Sequence, residues 1–589
     1  MKKTSAIKIA GYAGFILTLF FLIYFLRKVD ISLTYYWQQS IPLSFSEALQ
    51  YPGDISGIMG DRFLELLTRP FLGIMGVTLL VVIVFFMLYI IFRRFRGSLV
   101  FFPLLLAALI PYIMLFAHYR LPASLIMCIT TGLLLATIHS LYSPVNLAVR
   151  TGYSFITGII VYLVAGSAGL LVLVQVMIIQ TVLSKKYLGL AAILPVLLIP
   201  LLYLPFNLSY TARFAYLGPF LISKYDEIPL ILYISLSSPL MLLLVFTLLN
   251  YIFSRFAVKH SLMVSGTAIL IVLAGLVFAT LPCIIKEERN VLKIFQAAFR
   301  NDEETVVKFA KKQLFIDRML QFEINRALYQ NRCLLDSLFH YPQQFGEKGL
   351  FLEDNITSRV SLHISNFYYD LGFANEARHW STEAQMVLSR HPVVLKHLVM
   401  TYIAIGNNET ALKYLHVLSG SWLYRDWCDR VNEMIESNTT LNDQAIRSFV
   451  INNPRIDYFS ETKNPTKKIM IFYGSNPDNN MAFEFIMASY LLQHQIGNVL
   501  IHLQDFRKFG YDKLPRAVEE AMLIYIARSK ESKPSLAGYS ISQNTVEEFR
   551  DFSRLLSGTA NKTEGMRKVS KYKNTYWYYV WFTSPYASK

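Results

Sequence analysis

The groups able to do chemistry are sparse in the first half of this 589-residue chain. Asp30, Asp54 and Asp61 stand among long apolar runs, as do the cationic or titratable groups His118, Arg120 and Arg213. A carboxylate can take a proton from an acceptor hydroxyl, and guanidinium groups can clamp a phosphate. These residue types therefore fit group transfer from a lipid phosphate. Asp30, Asp54 and Asp61 are its candidate catalytic groups, and His118, Arg120 and Arg213 its candidate ligand-binding groups. The plainer reading, preferred here, makes the cations interfacial anchors whose side chains reach out to headgroups. His139 and His260 are read as structural or interfacial.

Two of these carboxylates lie in YPGDISGIMGDRF, residues 51–63. Pro52-Gly53 predicts a turn, and Asp54 is expected to cap the helix that follows. Ile55, Ile58, Met59, Phe63 and Leu66 recur at helical spacing, so the helix is expected to be amphipathic and to lie at the interface or on a bundle. Gly53, Gly57 and Gly60 form a small face suited to close helix contact. Asp61 pairs with Arg62 or Arg69, or faces water. No strand precedes the glycines and no GK[ST] follows, so they are not a phosphate-binding loop.

The elements carrying these residues follow from composition. Residues 1–285 contain seven acidic and eighteen basic residues, whereas 286–589 contain 33 and 38. The first part reads as a lipid-embedded bundle and the second as an ordinary soluble region. Apolar stretches long enough to cross a membrane occupy 9–26, 71–92, 98–117, 121–141, 187–204, 229–252 and 262–282. The stretch 151–182 is too long for one span and is interrupted by AGSAG at 165–169, which predicts two short helices joined by a tight turn. With that hairpin there are about nine spans, and the basic residues divide eleven inside to seven outside. This arrangement places the amino terminus in the cytoplasm and the second part outside, with 27–70 as a large outer loop.

In the second part, NFYYDLGFANEARHW (366–380) aligns with MTYIAIGNNETALKY (400–414) at an offset of 34 residues. Tyr368 matches Tyr402, Gly372 matches Gly406 and Ala377 matches Ala411. The pattern resembles the tetratricopeptide repeat, in which the glycine turns between two helices and the alanine lets them approach closely. The resemblance implies an α-solenoid over 286–530 that binds a protein or peptide on its concave face, or serves as a spacer. The tail 531–589 is aromatic-rich around YKNTYWYYVWFTSPY (572–586). It fits a strand, an interfacial belt or packing on its own domain.

Cys128, Cys283, Cys333 and Cys428 form no CxxC pair, and only Cys333 with Cys428 offers a disulfide. No HExxH, Walker or GxSxG pattern appears, and neither a metal nor a cofactor is expected. The excess positive charge flanks apolar stretches and is not gathered on one soluble face, so nucleic acid is not an expected partner.

Several phrases together are similar to an uncharacterised family of bacterial multipass membrane proteins, defined as a domain of unknown function. They are YPGDISGIMGDRFLELLTRPFLG (51–73), RNDEETVVKFA (300–310), NRALYQNRCLLDSLFHYPQQFGEKGL (325–350), NMAFEFIMASYLL (480–492) and LPRAVEEAM (514–522). Where that family has a Pro-Gly-Gly turn, Asp54 replaces the second glycine. The layout also resembles, more distantly, the multispan glycosyltransferases that use lipid-linked sugars. Those enzymes carry an acidic residue in a large first outer loop, as Asp30 is here, but their paired acidic motif is missing because Asp30 is followed by ISLTYYW.

The expected fold is thus all-α, a polytopic transmembrane bundle over 1–285 followed by a tetratricopeptide-like solenoid. The expected place is the bacterial inner membrane, with the repeats in the periplasm. The leading functional reading is a scaffold whose repeats recruit a partner in envelope assembly. A glycosyltransferase-like enzyme acting on a lipid-linked saccharide stands second. A transporter stands third, because the spans carry almost no charge.

Overall fold

The computed structural model describes residues 2–586 except 94–100, 117–120, 143, 145, 185–186, 207–210, 218–236, 238–244, 246–260, 285, 314–315, 353–357, 455–463, 530–534 and 560. The expected span 229–252, with His118 and Arg120, lies outside the described residues. All described regular structure is helical, with no strand among the described residues. The chain divides into two compact units, 1–289 with 421–423, and 290–420 with 424–589.

Among the described residues, the first unit contains six helices long and apolar enough to cross a membrane: Ala6–Val29, Pro70–Ile91, Ala123–Leu141, Leu147–Val182, Gly189–Phe206 and Leu262–Cys283. Its principal elements are α1 (Lys2–Val29), α2 (Asp54–Leu67), α3 (Pro70–Ile91), α4 (Phe101–Leu115), α5 (Ala123–Leu141), α6 (Leu147–Ser184), α7 (Ile193–Tyr203) and α8 (Ser261–Thr280). Pro70 opens α3 at a position where its missing N–H costs nothing. Leu22, Phe25, Phe85, Leu109 and Leu173 are among the fully buried core residues.

Helix α6 is two helices joined at one residue. Gly166 has φ 64° and ψ −163°, a backbone state open essentially to glycine alone. The contacts show that the chain folds back there. Arg150 Nη2 lies 2.9 Å from Thr181 Oγ1, whereas in a straight helix those residues would be about 46 Å apart. Helix α5 packs along the pair. His139 Nε2 is 3.1 Å from Ser154 Oγ on one arm, and Gln180 Nε2 on the other arm donates to the Ser140 carbonyl at 2.7 Å. Near the apex, a Cβ added to Gly132 of α5 would stand 2.4 Å from Gly169 Cα. Each arm is roughly 28 Å long, close to the thickness of a bilayer core.

The segment 27–70 is not an open loop. Ile31 and Tyr35 join the core of the first unit, and α2 occupies fourteen of its residues. The apolar side chains in the segment are attractive enough to burial to draw it down among the spans.

The second unit packs shorter amphipathic helices around an aromatic core. Its main elements are α9 (Arg318–Gln330), α10 (Ser358–Leu371), α11 (Ala374–Leu388), α12 (Pro392–Ala404), α13 (Asn408–Leu418), α14 (Arg425–Glu436), α15 (Gln444–Asn452), α16 (Asn480–Leu492) and α17 (Arg516–Arg528). Phe367 contacts Phe322, Phe351 and Phe485 with ring centroids 4.9–6.0 Å apart. Residues 576–583 are helical, and Tyr576 and Trp577 are fully buried in this unit. The aromatic tail therefore belongs to the core and forms neither a strand nor an interfacial belt. All four cysteines are free, so Cys333 and Cys428 do not pair.

Candidate functional site

The first candidate region lies where α2 begins. Gly53, with φ 97°, precedes the helix as its cap residue, and Asp54 is its first residue. Asp54 thus does not cap the helix as expected. The turn needs a left-handed residue, which glycine adopts without penalty, and this moves the carboxylate one place into the helix. The Gly53 N–H donates to the Leu163 carbonyl at 3.0 Å. A Cβ on Gly53 would meet Gly166 Cα at 3.2 Å, so the turn is seated against the hairpin apex.

Ser56 completes this junction. Its Oγ is 2.7 Å from the Val164 carbonyl and 2.6 Å from Thr131 Oγ1. The break at Gly166 deprives carbonyls just before it of their helical partners, and Ser56 supplies one. The Cys128 thiol is 3.8 Å from the Gly53 carbonyl and lies within electrostatic reach of Asp54. Burial pushes the Asp54 carboxyl up to about 6, a range suited to proton exchange near neutral pH. Of the three glycines, Gly53 and Gly60 make close backbone approaches, Gly60 to Ser124. Gly57 meets only the Asp54 carboxylate, at 4.0 Å.

The other candidates lie apart. Asp30 follows α1 with φ 63° and accepts from Ser32 Oγ at 3.0 Å. Asp61 is half-buried on α2. Arg213 is exposed on the short helix Ala212–Leu217. Among the described residues, Asp54 makes no hydrogen bond or ion pair with Asp30, Asp61 or Arg213. His118 and Arg120, which the sequence reading sets beside Asp30 and Arg213, lie outside the described residues.

The second candidate region is the pair of helical hairpins in the second unit. Helices α10 and α12 begin 34 residues apart, as do α11 and α13. Gly372 (φ 85°) and Gly406 (φ 78°) make the turns within each pair, and Ala377 and Ala411 are fully buried at the crossings. The same period would next start helices near 426 and 442, where α14 and α15 occur. Helix α15, however, packs on α10 and α12. Phe449 stacks on Tyr369 with centroids 4.6 Å apart, and a Cβ on Gly372 would collide with Asn452. Asn476 and Asn479 hold the end of α15 by donating to the Asn452 carbonyl at 3.0 and 3.4 Å. The face formed by the first helix of each pair thus already carries a helix.

Sequence reasoning passed over a buried charged cluster beside this face. Arg326 is 2.6 Å from Asp370 and 3.2 Å from Glu323, and His363 lies 2.5 Å from Glu323. Burial alone would raise the Glu323 carboxyl, but Arg326 and His363 more than offset it and hold it below the usual range. The cluster ties α9 to α10. Its only sequence signal was four polar residues on otherwise apolar helix faces.

The model of a family of unknown function, DUF6057, matches residues 5–583, and the chain belongs to that family. No curated protein and no solved structure matches it.

Proposed function

We propose that this family member is an integral membrane scaffold whose second unit recruits a protein or peptide in envelope assembly. The observation that carries the reading is the two 34-residue helix pairs, whose inner face α15 fills, leaving the outer side of α15, where Ile451 is 69% exposed, as the surface offered to a partner. Faces of this kind in tetratricopeptide-like solenoids take helical or extended segments. The fold-back at Gly166 supports counting 147–184 as two crossings. With α4 and 229–252 the chain then makes about nine crossings. The excess of basic residues on one side of that arrangement supports a cytoplasmic amino terminus and a periplasmic second unit.

A second reading rests on Asp54, whose carboxyl at about 6 fits acid–base chemistry on a lipid-linked saccharide. One experiment separates the two. A strain lacking the protein would be complemented with full-length chains carrying a photo-cross-linker at Ile451, which is 69% exposed on α15, with or without Asp54→Asn. The scaffold reading expects a discrete cross-linked partner in both chains and intact complementation by D54N. Loss of complementation by D54N with normal membrane levels, and no cross-link at 451, would replace it with the enzymatic reading.

A further inference from the structure

Arg150 lies in the first turn of α6 and is 6% exposed. The one hydrogen bond its side chain makes to a described residue goes to Thr181 Oγ1, a neutral hydroxyl that itself donates to the Met177 carbonyl. No carboxylate among the described residues pairs with it. The guanidinium lies close against Gly189, where an added Cβ would stand 2.3 Å from Arg150 Nη1.

A second buried donor faces the same neighbourhood. His139 of α5 is 3% exposed, stacks on Tyr153 at 4.8 Å and meets Ser154 through Nε2. His139 Nδ1 is buried and has no partner among the described residues, and it carries the ring proton in the tautomer in which the Ser154 hydroxyl donates to Nε2. His139 also lies within electrostatic reach of Arg150.

A buried guanidinium with a single neutral partner is unfavourable unless an anion completes it, and intramembrane charges of this kind mark functional positions. The fork of a guanidinium matches two phosphate oxygens, and a neutral imidazole N–H can add a third contact. Arg150, Thr181 and His139 lie near the ends of their helices, where the two arms of the hairpin open. In the proposed membrane arrangement, the ends of such spans lie at the level of the lipid headgroups.

We propose that Arg150 and His139 bind a phosphate group at the open end of the hairpin, carried by an anionic lipid headgroup or free in solution. The proposal is independent of the scaffold reading. It is tested on the full-length protein in nanodiscs of phosphatidylcholine containing phosphatidylglycerol, with retained lipid read by native mass spectrometry. A parallel arm in pure phosphatidylcholine follows thermal stabilisation by inorganic phosphate. Retention of phosphatidylglycerol identifies the lipid source, and a response to phosphate alone identifies the free anion. In either case Arg150→Gln is expected to weaken binding roughly tenfold or more, Arg150→Lys less, and His139→Gln least. A wild-type protein that retains no phosphatidylglycerol and ignores phosphate overturns the proposal without any variant. Equal binding by R150Q overturns it as well.

Discussion

The interiors of the two units handle polarity in opposite ways. In the first, buried threonine hydroxyls donate within their own helices, although Ser56 reaches across to the Val164 carbonyl. Thr18, Thr130, Thr137, Thr181 and Thr280 each donate to the carbonyl four residues back, at 2.7–2.9 Å. In the second, buried charges meet across helices, as in the Arg326–Asp370 pair at 2.6 Å and the Lys468–Glu376 pair at 3.1 Å. A chain surrounded by lipid must close every hydrogen bond locally, because no water competes for stray groups. A water-surrounded unit can carry ions inward when other helices meet them. Arg150 is notable because it follows neither pattern.

This contrast can be broken by experiment. Arg326→Met should be the most damaging change, since it leaves Glu323 and Asp370 without their cation. A loss of about 3–5 kcal/mol is expected, seen as a large fall in the unfolding temperature of the full-length protein in detergent. A fall worth less than about 1 kcal/mol would mean the cluster is dispensable.

The next effect is a pH dependence in the second unit. Burial raises the Glu484 carboxyl to about 7 from an ordinary value of 4.5. The folded state therefore holds this proton more tightly than the unfolded chain. The stabilisation is full below about pH 4.5 and is lost as pH rises through 7, a change on the order of 3 kcal/mol. Glu484→Gln should flatten the stability–pH curve relative to wild type over that window. Parallel curves would show that Glu484 ionises normally.

The smallest change should come from the first unit. Ser56→Ala removes the donor to Val164 but leaves Thr131 its own helical acceptors at 2.8 and 3.3 Å. A cost of roughly 1–2 kcal/mol is expected, measured as detergent-unfolding midpoints. A cost matching that of R326M would erase the distinction between the two interiors.

Legibility from sequence followed the range of the interactions. AGSAG announced the break because a left-handed residue is a local demand, and Gly166 meets it. Gly372, Gly406, Ala377 and Ala411 were legible for the same reason, since a turn and a close crossing each constrain one residue type. Asp54 was misassigned because Asp and Gly can both precede a helix, and only the seat against Gly166 makes Gly53 the cap residue. The burial of 27–70, the return of Phe449 onto Tyr369 and the ion cluster at Arg326 all depend on partners distant in sequence. No periodicity within a window of a dozen residues encodes them. The candidate site was least legible, because whether Asp30, His118, Arg120 and Arg213 converge depends on distances that no local pattern encodes.

The break at Gly166 also bears on how the chain enters a membrane. Two arms joined by a single residue have no polar segment between them long enough to linger outside the insertion machinery, so they are expected to partition together as one unit. A helix that turns back consumes an even number of crossings. If it were straightened into one, every later segment would be delivered to the opposite compartment. In the proposed topology, the backbone state of one glycine is thereby coupled to the address of the last three hundred or so residues.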